Sequence, residues 1–180
     1  MKYLNTYKLF ESRDNQFLTS KKDIKNWLDD MDIDNYTIND DLTIDVDGDV
    51  DLNNKKLEKI PVKFKSVGGY FNCGYNQLTS LKGSPESVGG SFYCNNNKLT
   101  SLEGCPESVG GHFNCNSNPI EEVYNLFGNK ECIKWLNEYN VIKGNKIILN
   151  NFKEVVYMMD MEHTFNYKKL YQLKNYKISE

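Results

Sequence analysis

Three cysteines stand at strict intervals of 21 residues, Cys73, Cys94 and Cys115, and thiols placed so regularly invite a metal or redox reading. Their surroundings argue for neither. Each follows a phenylalanine by two residues (Phe71, Phe92, Phe113), so on extended chain both side chains point to the same side. A phenylalanine marks that side as the interior, where a free thiol behaves as a small hydrophobe. The chain has five cysteines, no C-x-x-C pair, and two histidines, His112 and His163, 51 residues apart in sequence, so no zinc-ligand spacing is present. An odd number of cysteines fits a reducing compartment.

Aspartate is the second candidate. Ten aspartates run from Asp29 to Asp51 without a lysine or arginine among them. A calcium loop needs Asp-x-Asp-x-Asp-Gly and a glutamate at its twelfth position. Read in that frame, Asp45-x-Asp47-Gly48 starts at Thr43 and ends at Asn54, and Asp30-x-Asp32-x-Asp34 has Asn35 where glycine belongs. Neither run fits, and no metal or other cofactor is expected. Alternation accounts for the spacing instead, because Ile44, Val46, Val50 and Leu52 point inward and leave Asp45, Asp47, Asp49 and Asp51 pointing out. No Ser/His/Asp set, phosphate-binding glycine loop or paired-carboxylate site is recognisable, so the chain is not expected to be an enzyme.

The cysteines belong to a longer repeated phrase. Val-Gly-Gly recurs at 67–69, 88–90 and 109–111, followed each time by Phe-x-Cys, then by Asn76, Asn97 or Asn118, then by two aliphatic residues three apart: Leu78/Leu81, Leu99/Leu102 and Ile120/Val123. One period earlier a degenerate copy has Asp47-Gly48 in place of the glycine pair, followed by Val50, Leu52, Leu57 and Ile60. A unit this short cannot bury its apolar face alone and must stack on copies of itself, which predicts a solenoid of about four coils. Phe92 and Cys94 face in, Asn97 ends the strand by satisfying turning backbone, Leu99 and Leu102 return to the core, and the outer side is turns or extended chain. The glycine pairs mark either positive φ or close approach.

Phe92-x-Cys94-x-x-Asn97-x-Leu99 resembles the strand half of a leucine-rich repeat, L-x-x-L-x-L-x-x-N-x-L, on its four later positions. Gly89 stands in the place of the first leucine, with Val88 one residue earlier. The phrase Leu-Thr-Ser-Leu-x-Gly-x-Pro before Val-Gly-Gly resembles the short repeats of bacterial and bacteriophage proteins of this class, over about residues 42–127. The resemblance implies an α/β architecture of stacked parallel strands and a surface presented to a partner. Leucine-rich repeat ubiquitin ligases of bacteria carry a Cys-x-Asp motif in a large helical domain, whereas Cys132 here precedes Ile133-Lys134.

The flanks differ from the repeat. Residues 1–18 hold a short apolar pattern that reads as a helix or a docked arm. Ser20 and Asp23 resemble a capping box, and Ile24, Trp27, Leu28 and Met31 then share a helical face. Tyr36-Thr37-Ile38 and Leu42-Thr43-Ile44 read as strands about a turn. Ile133, Leu136 and Tyr139 begin a helical C-terminal part, a second helix carrying Phe152, Val155, Val156 and Met159 is expected to start from a cap at Asn150 or Asn151, and Tyr167, Leu170 and Tyr171 read as a third. The expected division is a helical cap and lead-in over 1–41, repeats over 42–127, and a helical cap over 128–180.

A net charge of −3 and a pI near 5.5 argue against nucleic-acid binding. The lack of an apolar run of membrane length or of a signal-peptide core predicts a cytoplasmic protein without a membrane partner. What remains is the outward strand surface: Tyr70, Asn72, Tyr75, Tyr93, Asn95, His112 and Asn114, beside the acidic edge Asp45, Asp47, Asp49 and Asp51. Tyrosines among amides have the composition of an interaction face, and the carboxylates would steer a basic partner. The expectation is a non-enzymatic protein-binding module, encoded by a phage or bacterium and directed at a host protein; the alternative is a ligand-binding protein that stacks carbohydrate on its tyrosines or holds calcium at its aspartates.

Overall fold

A computed structural model describes residues 17–179. Most of the expected helix or arm over residues 1–18 therefore lies outside the described residues; of its last two, Leu18 is buried and its N–H donates to the Pro61 carbonyl at 2.7 Å. Helix α1 spans Lys21–Asp30 and starts as its capping box predicts: the Asp23 N–H donates to Ser20 Oγ at 3.1 Å, and the Ser20 hydroxyl donates to the Asp23 carboxylate at 2.7 Å. Its apolar face buries Ile24, Trp27 and Leu28.

A β-solenoid follows. Strands β1 (Tyr36–Ile38) and β2 (Thr43–Val46) form an antiparallel hairpin, and from there the chain winds in one direction through β3 (Val50–Asp51), β4 (Lys63–Val67), β5 (Phe71–Asn72), β6 (Ser87–Val88), β7 (Phe92–Tyr93), β8 (Ser108–Val109) and β9 (Phe113–Asn114). Two sheets result, one ordered β1-β2-β4-β6-β8 and one ordered β3-β5-β7-β9, parallel throughout apart from the first hairpin. Every coil thus carries two short strands that meet at the glycine pair, and the Ser-Val before that pair is itself a strand. The register is the sequence period: Phe71 pairs with Phe92 and Phe92 with Phe113, as Ser66 does with Ser87 and Ser87 with Ser108.

The first glycine of each pair serves close approach. A Cβ at Gly68, Gly89 or Gly110 would lie 2.6, 2.2 or 2.1 Å from the carbonyl oxygen of the coil before, a distance no side chain tolerates. Positive φ belongs to the outer turns, at Gly83 and Gly104.

Beside the buried cysteine and leucine columns, two further columns run through the interior. Phe71 and Phe92 stack at 5.5 Å and 7°, and Phe92 and Phe113 at 5.8 Å and 5°. Phe64 meets Phe71 edge-on at 5.4 Å and Trp27 of α1 lies beyond it, while Tyr124 closes on Phe113 at 5.3 Å from the far end. The second column is polar. Asn97 accepts the Leu78 N–H at 2.9 Å and donates to the carbonyls of Cys73 at 2.9 Å and Cys94 at 3.1 Å, so one amide binds its own coil and the coil before. Asn76 and Asn118 repeat this arrangement one coil back and one coil on.

Beyond the solenoid, helices α2 (Glu121–Phe127) and α3 (Cys132–Glu138) lead to β10 (Ile142–Lys143), β11 (Lys146–Ile148), helix α4 (Leu149–Met158), a 3₁₀ helix (Tyr167–Gln172) and β12 (Lys177–Ser179). The C-terminal part is therefore not purely helical, because β12 returns to pair in parallel with β11. Helix α4 also begins earlier than expected. Its N-cap is Ile148, and the Asn151 amide donates instead to the Tyr139 carbonyl at 2.7 Å, tying α4 to the end of α3.

Asn97→Ala leaves the buried Leu78 N–H without a partner, while the Cys73 and Cys94 carbonyls lose one of two donors and keep Asn76 and Asn118. At roughly 1–3 kcal/mol per buried unsatisfied group, a stability loss of about 2 kcal/mol is expected in urea unfolding. A loss below about 0.5 kcal/mol, the level of an ordinary surface substitution, would show that the amide column does not hold the coils together.

Candidate functional site

The outward face of the four-stranded sheet gathers most of the residues singled out above. Its columns follow the register. Asp49, Tyr70, Ser91 and His112 form one; Asp51, Asn72, Tyr93 and Asn114 the next; Asn53, Gly74, Asn95 and Asn116 a third. Tyr75 sits just past the strand with φ 55°, one of a left-handed series at Asn54, Tyr75, Asn96 and Ser117, and it is 57% exposed.

Five polar side chains on this face serve the backbone. Asp49 accepts the Tyr70 N–H at 2.8 Å and Ser91 the His112 N–H at 3.0 Å, linking coil to coil. In the next column Asp51, Asn72 and Asn114 accept N–H groups two residues on, from Asn53, Gly74 and Asn116, at 2.9, 3.0 and 3.0 Å. Tyr70 and Tyr93 stand at equivalent positions and, lacking a short side-chain acceptor, make no such bond. Both are half-buried. Burial raises the Tyr70 hydroxyl pKa, with further contributions from the Asp51 and Asp49 charges, so both carboxylates lie within electrostatic reach of that phenol.

The acidic edge is divided. Asp49 and Asp51 join the tyrosine face, whereas Asp47 is exposed at the corner between the sheets. Asp45 lies on β2, in the other sheet, half-buried and held by the Asn39 amide at 2.8 Å and by the Ser66 hydroxyl. Those hydrogen bonds, Asn39 first, lower its pKa. Other aspartates of the run find lysines from outside it: Lys25 pairs with Asp29 at 2.8 Å, Lys21 with Asp40 at 2.9 Å, and Lys55 with Asp32 at 3.8 Å. Sequence reasoning missed the Asn39 and Ser66 partners of Asp45. The serine recurring before every Val-Gly-Gly was the available signal.

Cys73, Cys94 and Cys115 are buried and free, as are Cys105 and Cys132. Burial pushes the Cys73 and Cys115 thiols up to about 12. Among the described residues no three His, Cys, Asp or Glu side chains are placed to hold a metal ion, and no helix is long and apolar enough to cross a membrane.

Fold and surface together define a β-solenoid repeat protein with a tyrosine and amide face. Comparison with protein-family models, with curated proteins and with solved structures found no match.

Two outcomes follow from the titrating groups. Thiol reagents at pH 8 should leave Cys73, Cys94 and Cys115 unmodified until the protein unfolds; rapid modification of all three in native protein would contradict the buried column. Asp45 has a depressed folded pKa, so its contribution is present above the unfolded value of about 3.9 and lost as pH falls through the folded one. Asp45→Asn should therefore lower stability by about 1 kcal/mol at neutral pH, a charged hydrogen bond discounted for solvent, with parent and variant converging at acid pH. An equal difference at both pH values would remove the charge from the explanation.

Proposed function

We propose that this protein is a non-enzymatic binding module whose partner docks on the outward face of the four-stranded sheet. One observation carries the reading. Tyr70 and Tyr93 occupy positions where the side chains of neighbouring coils hydrogen-bond the backbone, and the tyrosines give up that role, so the fold does not account for them. Half-buried aromatics on a rigid sheet lose little side-chain freedom on binding and present an apolar body with a polar tip. Asp49 and Asp51 beside Tyr70 favour a basic partner, and Asp47 at the corner extends the negative field. The coil's resemblance to the leucine-rich repeats of bacterial and bacteriophage proteins suggests a protein partner, and a host protein inhibited or redirected by the binding is the reading it favours.

The test begins with affinity capture from the native cell and mass spectrometry to name a partner. Tyr93→Ala should then weaken binding by about 2–4 kcal/mol through faster dissociation, as truncation of a desolvated anchor does. Asp49→Asn with Asp51→Asn should slow association mainly at low salt. If both variants bind like the parent while melting cooperatively, the face is not the site.

A further inference from the structure

Positive charge is concentrated in the C-terminal part of the chain, and the sheet there lines it up. Lys143 pairs with Lys146 across β10 and β11, and Lys146 pairs with Lys177 across β11 and β12. The neighbouring positions join Ile142, Ile147 and Ile178, of which Ile147 is fully buried, so the lysines take the opposite side of the sheet, and all three are exposed. Register sets their Cα atoms about one strand spacing, ~5 Å, apart. Like charges directly opposite one another on a sheet are destabilising. No carboxylate relieves them: the ion pairs among the described residues use Lys21, Lys25, Lys55 and Lys82, and none of the seven lysines after residue 140.

The opposite sign is left over on the first coil. Asp47, Asp49 and Asp51 are exposed and enter no ion pair among the described residues. Asp49 and Asp51 each commit Oδ1 to a backbone N–H, which orients the side chain and leaves Oδ2 without a hydrogen bond. Strand β3, which carries Asp51, is the first of its sheet and β9 the last, three strand spacings or ~15 Å away, and the lysines belong to elements that follow β9. Within one copy the two sets of charges form no ion pair, and each stays uncompensated.

We propose that the lysine column is a docking site for a second copy of this chain, which sets its Asp47, Asp49 and Asp51 edge against Lys143, Lys146 and Lys177. Carboxylates then meet ammonium groups in equal number, and the repulsion within the column is relieved on contact. The two surfaces are different, so the contact is heterologous, and each bound copy keeps its own lysine column free for the next. The product is an open chain of copies, weak and salt-sensitive because every charge involved is exposed. The proposal uses the acidic edge but neither Tyr70 nor Tyr93, and it does not rest on the foreign partner proposed for that face.

Sedimentation equilibrium of the full chain is the test. In about 10 mM salt, where the Debye length is about 30 Å, the average mass should climb above the 20.9 kDa of one chain as concentration rises; in about 1 M salt, where it is about 3 Å, the mass should return to that value. Lys143→Gln with Lys146→Gln and Lys177→Gln should be monomeric at low salt. So should two further variants taken singly, one carrying Lys143→Glu, Lys146→Glu and Lys177→Glu, the other Asp47→Lys, Asp49→Asn and Asp51→Asn, whose amides retain the acceptor oxygens. Mixed, these two should associate, since the acidic edge of the first meets the lysine column of the second. Tyr93→Ala should self-associate like the parent. A parent that stays monomeric at low salt, a glutamine variant that associates as the parent does, or two cooperatively melting variants that fail to associate on mixing would overturn the proposal. So would loss of association in Tyr93→Ala, which would move the contact to the tyrosines.

Discussion

The buried asparagine column is the constraint from which the rest of the solenoid follows. Strands of two residues make few ladder hydrogen bonds, and every coil must turn sharply straight after Phe-x-Cys, leaving carbonyls of Cys73 and Cys94 inside the protein. One carboxamide resolves this for two coils at once, because Asn97 reaches the Cys73 carbonyl of the coil before as well as the Cys94 carbonyl of its own. A coil without its predecessor would leave half of that amide unbonded. The unit therefore has no stable existence alone, and stacking is the condition of folding rather than its result.

The same logic explains the ends. A stack of identical coils terminates with an apolar edge and unpaired backbone, and here each problem has a local answer. Trp27 and Phe64 continue the aromatic column at the first coil, and Tyr124 continues it past the last. At the final corner Lys130 Nζ donates to the carbonyls of Val109 at 2.8 Å and Gly111 at 3.1 Å, which a further coil would otherwise have engaged. The C-terminal elements thus begin their work within a few residues of the repeat's end.

Inside and outside obey different rules. Inward columns repeat because the space between stacked coils is identical each time, and a change at one level strains its neighbours. Outward columns face away from the core and bond at most to backbone of their own coil or the next, so a residue there is less constrained. That freedom makes Tyr70 and Tyr93 informative, since a turn-forming aspartate, asparagine or serine would serve the fold better at either position. On the outer turns Ser84 is the converse case, a buried hydroxyl without a hydrogen-bond partner where the next coil has Cys105.

The sequence by itself determined the period, the direction in which Phe71, Cys73 and their equivalents point, the role of Asn97 in satisfying the turning backbone, and the start of α1 at Ser20. Each of these depends on contacts within one repeat or between copies exactly one period apart, and a repeated phrase states both. The columns of the tyrosine face were legible for the same reason, since parallel stacking puts residues one period apart side by side. Only the tertiary structure decided that Asp45 leaves that face for a bond to Asn39, that β12 crosses back to β11, that Asn151 reaches Tyr139 rather than capping α4, and that α3 walls a groove over turns some 30–50 residues earlier in the chain. None of these pairings recurs, so no periodicity announces them. They are fixed by which surfaces remain to be covered once the coils have stacked.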